Sequence, residues 1–476
     1  MIGRDVSRLI ALGVVAGVAV AAALPAGAQD SADLALEWSV PDRIPGPRFF
    51  AGVARDPRSA AIAPTVVRLR AVGDGGCTGL KWKLDDKAAR PEPLGGCAFE
   101  LDLGDHGSHE VVLERGSQEA TASVQARNLL VVSVGDSVAS GEGNPDKPSS
   151  VRTRWLERRC HRSMRSGAAQ AALAVERGDR QSEVTFLPLG CSGATVPNGL
   201  VRPYEGIQPD RRLGDLPAQL SVVKAVTARQ QIDALLLSIG ANDVNFGPLL
   251  QFCIAVEDCR HQRFDPEARI PRPSAAAQPA AAVERNALAA LPSRYRQIAD
   301  VLDEAGVDPT RVIIVEYFDP VRDAGGAPCK RALPGIRKDE AGWAETAVLG
   351  PLNGEVRAAA DRHRWRVVTG VADAFATHGV CVRGSGRWVR RPEESLSRQA
   401  RLSGTFHPNG RGHLATAALI APVLADTLGI TNTGSSEIAG TSDDEDSGVP
   451  AWWLVIAALV GALLGISGSL LVRRLR

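Results

Sequence analysis

The hydrophobic pattern changes near residue 128, and from there short apolar runs alternate with longer amphipathic stretches. The apolar runs predict strands at 129–134, 184–189, 234–239, 312–316 and 366–369. The stretches between and after them predict helices at about 166–177, 217–229, 281–305, 344–362 and 410–428. Such alternation indicates a parallel sheet covered by helices, with a functional site at the C-terminal ends of the strands. We therefore expect residues 128–430 to form one α/β domain.

Residues 34–127 follow a different pattern, in which short segments alternate apolar and polar positions between Gly, Pro and Asp residues. This pattern predicts a small antiparallel β-sandwich with Trp82 in its core. The stretch from Phe99 to Leu113 resembles the closing hairpin of PKD and other Ig-like modules. We therefore expect an Ig/PKD-like β-sandwich domain, for which the sequence indicates no function.

Both ends of the chain carry long apolar segments. Arg4 and Arg8 precede an apolar run that ends in a small-x-small pattern, so residues 1–28 are predicted to be a signal peptide cleaved after Ala28. An uncleaved N-terminal anchor is the alternative. Residues 452–472 are apolar and, at ~1.5 Å per residue, are long enough to cross a hydrocarbon core of ~30 Å. They predict one transmembrane helix.

The flanks of this helix predict its orientation. Trp452 and Trp453 suit the membrane interface, and the basic tail at 473–476 is expected to stay in the cytoplasm. Residues 431–450 are rich in Ser, Thr, Gly and acidic residues, which is typical of a disordered linker. The expected location is the cell membrane, with a single pass and an extracellular catalytic domain.

Charge and cysteine content narrow the possible functions. The formal net charge is +1 and the basic residues are spread along the chain, so nothing indicates a nucleic-acid partner. The eight cysteines are an even number in a chain predicted to be exported, which favours disulfides over a metal site. Order along the chain alone leaves other connectivities open. Nearest-neighbour pairing predicts Cys77–Cys97, Cys160–Cys191, Cys253–Cys259 and Cys329–Cys381.

Residues able to perform acyl transfer follow the predicted strands. Ser137 stands directly after the first strand, in Gly-Asp-Ser, where a nucleophile at the C-terminal edge of the sheet is expected. A serine hydroxyl needs a base and donors for the developing oxyanion. Gly193 and Asn242 follow the second and third strands and offer such donors, and His407 precedes the last helix as a base. Taken alone, Ser137 could also be a turn serine.

These segments resemble, in order and spacing, the four sequence blocks of the SGNH/GDSL hydrolases. The segments GDSVASGEGNP at 135–145, CSGAT at 191–195 and FHPN at 406–409 resemble the secreted bacterial esterase and lipase branch, which has three disulfides in its catalytic domain. The resemblance covers about residues 128–430. It implies a flavodoxin-like three-layer α/β/α hydrolase fold and a first disulfide between Cys160 and Cys191.

The same resemblance implies a role for each matching residue. Ser137 would be the nucleophile and His407 the general base. The oxyanion hole would combine the N–H groups of Ser137 and Gly193 with the Asn242 side chain. The implied reaction is a two-step acyl transfer that needs no cofactor and no metal.

One position departs from the family pattern. Many members carry Asp three residues before the histidine, where this chain has Gly404. We expect the carbonyl of Gly404, or one next to it, to accept the Nδ1 proton of His407, as in some members of the secreted branch. Asp373 is the alternative. A neutral carbonyl stabilises the imidazolium less than a carboxylate does, which affects the rate and its pH dependence.

Other polar residues near these motifs are expected to have structural roles. Asp136 is expected to organise the nucleophile loop, and Asp243 to cap a helix. His413 stands on the first turn of the last helix, where packing or capping is expected. His161 is expected to make only local contacts beside its cysteine.

Three functions fit the sequence. The first is an extracytoplasmic esterase or lipase that hydrolyses carboxylic esters, with acyl lipids as one substrate class. The second is a carbohydrate O-deacetylase that acts on an acylated envelope glycan. The third is a catalytically silent protein that binds the envelope or mediates adhesion, a hypothesis that rests on the glycine at position 404. The sequence does not indicate an oligomeric state.

Overall fold

The computed structural model describes residues 33–41, 65–105, 107–210, 212–267, 277–330 and 336–430. The predicted signal peptide at 1–28, the linker at 431–450, the transmembrane helix at 452–472 and the tail at 473–476 lie outside these ranges. Within them, no helix combines the length and apolar character that crossing a membrane requires.

The N-terminal part contains two four-stranded antiparallel sheets, with strand orders β1-β2-β6-β5 and β4-β3-β7-β8. Their strands are β1 Ala35–Ser39, β2 Val66–Val72, β3 Lys81–Leu84, β4 Lys87–Ala89, β5 Glu92–Gly95, β6 Ala98–Asp102, β7 His109–Arg115 and β8 Gln118–Val124. Alternate residues of β2 are buried, which is the pattern of a strand with one face in a core. Both sheets contribute to this core, where Trp82 packs edge-on against Phe99 at a centroid distance of 5.0 Å. The relationship of this part to Ig or PKD modules stays a prediction.

The second part is built on a five-stranded parallel sheet with the order β10-β9-β11-β14-β15. Its strands are β9 Arg127–Gly135, β10 Ser182–Pro188, β11 Ala234–Ser238, β14 Val312–Val315 and β15 Arg366–Val368. Counted within this domain, the order is 2-1-3-4-5, which is that of flavodoxin-like sheets. Two further strands, β12 Arg263–Phe264 and β13 Gln278–Pro279, pair with each other outside this sheet. The predicted parallel α/β sheet is therefore present.

Helices cover both faces of the parallel sheet. They are α1 Ser137–Ser140, α2 Gly167–Gly178, α3 Gln219–Thr227, α4 Phe246–Ala255, α5 Ala280–Glu304, α6 Lys338–Ala344, α7 Gly350–His363, α8 Val371–Phe375, α9 Pro392–Gln399 and α10 Gly410–Thr427. A π-helical turn, Glu345–Leu349, joins α6 to α7. On one face α2 packs against α10, and on the other α5 packs against α3 and α7. This arrangement gives the three layers expected of the fold.

Four disulfides are present in the described residues. They join Cys77 to Cys97, Cys160 to Cys191, Cys253 to Cys259 and Cys329 to Cys381. These are the pairs that nearest-neighbour order predicts. The Cys160–Cys191 bridge has the greatest consequence for the site, because it ties the loop after β10 to the loop that carries His161.

Candidate active site

Ser137 lies at the C-terminal edge of the sheet because β9 ends at Gly135, two residues before it. Gly135 has a φ of +140°, and a β-carbon there would lie 1.9 Å from the Ser238 carbonyl oxygen, so only glycine fits. Asp136 then caps α1, and its Oδ1 accepts the Val138 N–H at 3.0 Å. The close contact between β9 and β11 therefore fixes the position from which Ser137 projects.

His407 approaches Ser137 from the loop before α10. The distance between His407 Nε2 and Ser137 Oγ is 2.7 Å, which is a hydrogen bond. The preceding residue, Phe406, is buried and has a φ of +64°, a conformation that is uncommon for a bulky side chain. Two backbone hydrogen bonds hold it there, since Phe406 N–H donates to the Arg390 carbonyl and Arg390 N–H donates to the His407 carbonyl.

A backbone carbonyl orients the imidazole of His407. Its Nδ1 lies 3.2 Å from the carbonyl oxygen of Thr405, the residue after Gly404, and a further backbone interaction comes from Ser403. The Gly404 carbonyl instead accepts the backbone N–H of His407 at 3.1 Å. Within the described residues no hydrogen bond joins Asp373 to His407. The neighbouring carbonyl, rather than that of Gly404 itself or the Asp373 carboxylate, therefore faces Nδ1.

Gly193 and Asn242 lie in neighbouring loops that follow β10 and β11. Gly193 has a φ of +82°, and a β-carbon there would come within 2.5 Å of the Tyr204 hydroxyl. The Asn242 Nδ2 donates to the Ala194 carbonyl at 3.0 Å, which fixes the amide beside this loop. Across the described ranges, the N–H groups of Ser137 and Gly193 have no protein acceptor. These N–H groups and the Asn242 amide stay the predicted oxyanion donors.

Asp243 does not cap a helix, so that prediction was wrong. Its carboxylate accepts the Val196 N–H at 3.1 Å and pairs with Arg294 at 2.7 Å. Burial raises its pKa to about 6, and Arg294 counteracts part of this rise. Asn245 instead stands at the start of α4. Through Val196, the Asp243 side chain holds the loop that contains Gly193 against the loop that contains Asn242.

Asp136 links the nucleophile to the same region. It is fully buried and accepts a hydrogen bond from the Tyr317 hydroxyl at 2.6 Å, while that hydroxyl accepts the Ala241 N–H at 3.3 Å. Burial raises the pKa of Asp136 to about 7, against the opposing effect of the Tyr317 hydrogen bond. The chain from Asp136 to Ala241 positions Asn242 relative to Ser137, in keeping with the loop-organising role expected for Asp136.

One residue near the site, Glu142, is not among the candidates that the sequence predicts. Its carboxylate is buried and accepts a hydrogen bond from His161 Nδ1 at 2.7 Å. Burial by itself raises the pKa of this carboxyl, but the adjacent His161 imidazole and the Ser192 hydroxyl lower it to about 2. The prediction that His161 makes only local contacts was wrong, because His161 and Glu142 are 19 residues apart in the chain. Glu142 lies within the segment at 135–145, but that motif does not show which distant residues contact it.

His413 has the structural role expected of it. It is buried, accepts the Gly167 N–H at Nδ1 and donates from Nε2 to the Glu142 carbonyl at 3.1 Å. Burial lowers its pKa to about 4, so it is neutral and ties α10 to α2. In the described part of the chain, no group of three or more His, Cys, Asp or Glu side chains is arranged to hold a metal ion.

The rate of hydrolysis should depend on the protonation of His407. Burial lowers the pKa of its imidazole below the usual 6.5, although the Glu142 carboxylate opposes part of this shift. Because only the neutral ring can accept the Ser137 proton, activity should be retained below pH 6.5 and lost as the pH falls through the lowered pKa. A profile of kcat/KM for p-nitrophenyl butyrate from about pH 4 to about pH 9 measures this loss of activity at low pH, the acid limb of the profile. An acid limb centred above the usual histidine value would contradict the prediction.

Comparison with known proteins identifies the family. The GDSL-like Lipase/Acylhydrolase family matches residues 133–415, which is more than half of the chain and includes all four site residues. A comparison with curated proteins gave no match.

Similar solved structures include three enzymes. An active-site mutant of a family two carbohydrate esterase from Clostridium thermocellum is 12% identical, covering 74% of this chain and 85% of its own, with a TM-score of 0.29. A salicylyl-acyltransferase from a tetracycline biosynthetic pathway is 13% identical, covering 84% and 97%, with a TM-score of 0.30. A carbohydrate acetylesterase from Xanthomonas citri is 10% identical, covering 77% and 72%, with a TM-score of 0.26. Scores this low support no statement about substrate. On the family match, this chain belongs to the GDSL-like lipases and acylhydrolases and is a carboxylic ester hydrolase.

Proposed function

We propose that this hydrolase is a serine esterase that forms an acyl-enzyme on Ser137, with His407 as general base. The observation that carries the proposal is the 2.7 Å contact between His407 Nε2 and Ser137 Oγ, next to the unpaired N–H groups of Ser137 and Gly193. A nucleophile in contact with a base whose other nitrogen is oriented by a third group is the arrangement that acyl transfer requires.

The reaction proceeds in two steps. His407 accepts the Ser137 proton as Oγ attacks the ester carbonyl, and the oxyanion receives hydrogen bonds from Ser137, Gly193 and Asn242. His407 then protonates the leaving alcohol and the acyl-enzyme remains. Water attacks this ester while His407 accepts its proton, the acid departs, and the proton returns to Ser137 Oγ.

We further propose that the catalytic domain works outside the cytoplasm. Four disulfides in the described residues support this location, because disulfides persist in oxidising compartments. The expected signal peptide at 1–28 and the expected helix at 452–472 would deliver the domain and hold it at a membrane surface. Acyl lipids in that membrane and acylated glycans of the envelope are then both within reach.

The test is hydrolysis by the full-length chain, made in an oxidising compartment and purified in detergent. Its substrates are p-nitrophenyl acetate, butyrate and palmitate, and a fluorophosphonate probe reports the nucleophile. We expect turnover, and labelling confined to the peptide that contains Ser137, with no labelling of Ser137→Ala. Folded protein that neither hydrolyses these esters nor takes up the probe would refute the proposal and restore the binding hypothesis.

The preferred acyl length separates the two remaining substrate classes. A protein that hydrolyses only the acetate would act as an O-deacetylase, and release of acetate from an acetylated glycan would then be measured. A preference for butyrate or palmitate would favour an esterase or lipase of longer acyl chains.

A further inference from the structure

Glu142 is a buried carboxylate that the reaction described above does not use. Its side chain is 1% exposed, and each carboxylate oxygen accepts two hydrogen bonds. The four donors are His161 Nδ1 at 2.7 Å and Ser192 Oγ at 2.5 Å on Oε2, and Gln399 Nε2 at 2.5 Å and Ser403 Oγ at 3.0 Å on Oε1. Because both oxygens are fully occupied, the carboxylate has no place for substrate. It can act only through its neighbours.

The backbone around Glu142 connects the two loops that carry the reacting side chains. The Glu142 N–H donates to the Ser137 carbonyl at 3.0 Å. The next residue, Gly143, approaches the other loop so closely that a β-carbon on it would lie 3.1 Å from His407 Cβ and 2.4 Å from the Pro408 carbonyl oxygen. Glu142 is therefore in contact with the nucleophile segment and next to the base.

Gly404 explains how this carboxylate reaches the loop that carries the base. A β-carbon at position 404 would lie 2.5 Å from the Gln399 Oε1, so the Gln399 side chain occupies the space that an aspartate would take. The same side chain donates to Glu142 Oε1. On the other side of Gly404, the Ser403 hydroxyl donates to that oxygen as well. The missing side chain at 404 thus leaves room for the side chain of Gln399, the last residue of α9, which binds Glu142 together with Ser403.

The nearest neighbour of Glu142 is His161. His161 is fully buried, stacks on Trp155 at 4.5 Å, and has no acceptor for Nε2 among the described residues. Its Nδ1 is hydrogen-bonded to Glu142, so the imidazole holds the carboxylate in place. A carboxylate in this buried position is screened little by solvent ions.

Building on the proposed function, we propose that Glu142 is a positioning residue that replaces the carboxylate missing at Gly404. Its hydrogen bonds with Gln399 and Ser403 hold the loop of His407 in position beside Ser137. Through space its charge stabilises the imidazolium that forms when His407 accepts the Ser137 proton.

The charged groups around His407 determine the direction of the expected pH effect. Glu142 raises the pKa of His407, whereas burial and His161 lower it. The buried His413 also faces His407, and it lies close to Arg165 and Arg390. Replacing Glu142 by a neutral residue removes the carboxylate that favours the imidazolium. The acid limb of kcat/KM should therefore move to lower pH, and the weaker base should lower kcat.

The experiment compares Glu142→Gln with Ser403→Ala in the full-length protein, using p-nitrophenyl butyrate. For Glu142→Gln we expect kcat to fall about 10- to 100-fold, less than the ~10⁴-fold effect of neutralising a carboxylate in direct contact with the base, with KM changed by less than about 3-fold. Its acid limb should shift down by about half a pH unit or more. Ser403→Ala removes a hydrogen bond to the same carboxylate but keeps the charge, so kcat should fall only about 3-fold with the acid limb unmoved.

The outcomes separate this inference from the proposed function. If the wild type hydrolyses the ester and Ser137→Ala does not, a Glu142→Gln enzyme with unchanged kcat and pH profile overturns the role of Glu142 alone. If the acid limbs of Glu142→Gln and Ser403→Ala lie at the same pH and kcat is lowered in both, Glu142 only anchors the loop of His407. That result would overturn the proposed effect of its charge. A wild type without activity overturns the proposed function and the inference with it.

A second variant covers the case in which Glu142→Gln does not fold. Gln399→Met combined with Ser403→Ala keeps the carboxylate and releases the loop of His407. Thermal unfolding would show whether this double variant is folded. We expect a fall in kcat of about 10-fold at an unchanged acid limb, and full activity would overturn the proposal.

Discussion

His407→Ala should lower kcat for p-nitrophenyl butyrate by about 10⁴-fold, with little change in KM. The imidazole is the only base in hydrogen-bond contact with Ser137 in the described structure, and no nearby group can replace it. Buried His413 does not substitute, because both of its nitrogens are engaged by Gly167 and by the Glu142 carbonyl. Steady-state kinetics at the pH optimum, with thermal unfolding as a check of folding, measures the effect.

The matched control is another histidine replaced in the same way. The His261 side chain is 63% exposed and pairs with Asp258 on the surface, so His261→Ala should retain wild-type kinetics. Residual activity of His407→Ala above about one hundredth of the wild type would show that a different group accepts the Ser137 proton.

Asn242→Ala should lower kcat by about 10²- to 10³-fold, again with a small change in KM. The Asn242 amide is held by the Ala194 carbonyl at 3.0 Å, and its remaining N–H can serve the oxyanion, whose charge develops fully only in the transition state. The loss should therefore fall on kcat. Measurement of kcat and KM separately, on acetate and butyrate esters, distinguishes this effect from weaker substrate binding.

A neighbouring asparagine supplies the control for this prediction. Asn245 has a φ of +54° and contacts Glu284 at 3.5 Å. Asn245→Gly removes a side-chain amide three residues away and keeps the left-handed backbone without strain. Its kcat should stay within about 3-fold of the wild type, and an equal loss in both variants would indicate disruption of the loop instead of a lost oxyanion donor.

The strands and most helices of the α/β domain could be predicted because buried parallel strands are continuous apolar runs. The predicted strand at 129–134 corresponds to Arg127–Gly135, and the predicted last helix at 410–428 to Gly410–Thr427. The prediction missed α4, because Gly247-Pro248 is typical of a turn. In the structure Pro248 lies in the first helical turn, where no intrahelical donor is lost.

The candidate residues Ser137, Gly193 and Asn242 follow strands in recognisable motifs, and His407 precedes the last helix in another. The structure brings Ser137 and His407 into contact, and the catalytic roles stay predictions. The contacts of Glu142 could not be predicted, because its partners Gln399 and Ser403 are 257 and 261 residues away along the chain. Asp243 was assigned to a cap because local contacts are all that a single sequence displays, whereas Arg294 comes from a distant helix. A single sequence therefore does not show which distant segments are in contact.

The nucleophile and the base are 270 residues apart in the chain. During synthesis from the N-terminus, Ser137 emerges long before His407, and His407 is held in place only when the following helix, α10, packs against α2. A growing polypeptide therefore holds Ser137 without His407 beside it, and the proposed catalytic pair is assembled only in the last stage of folding.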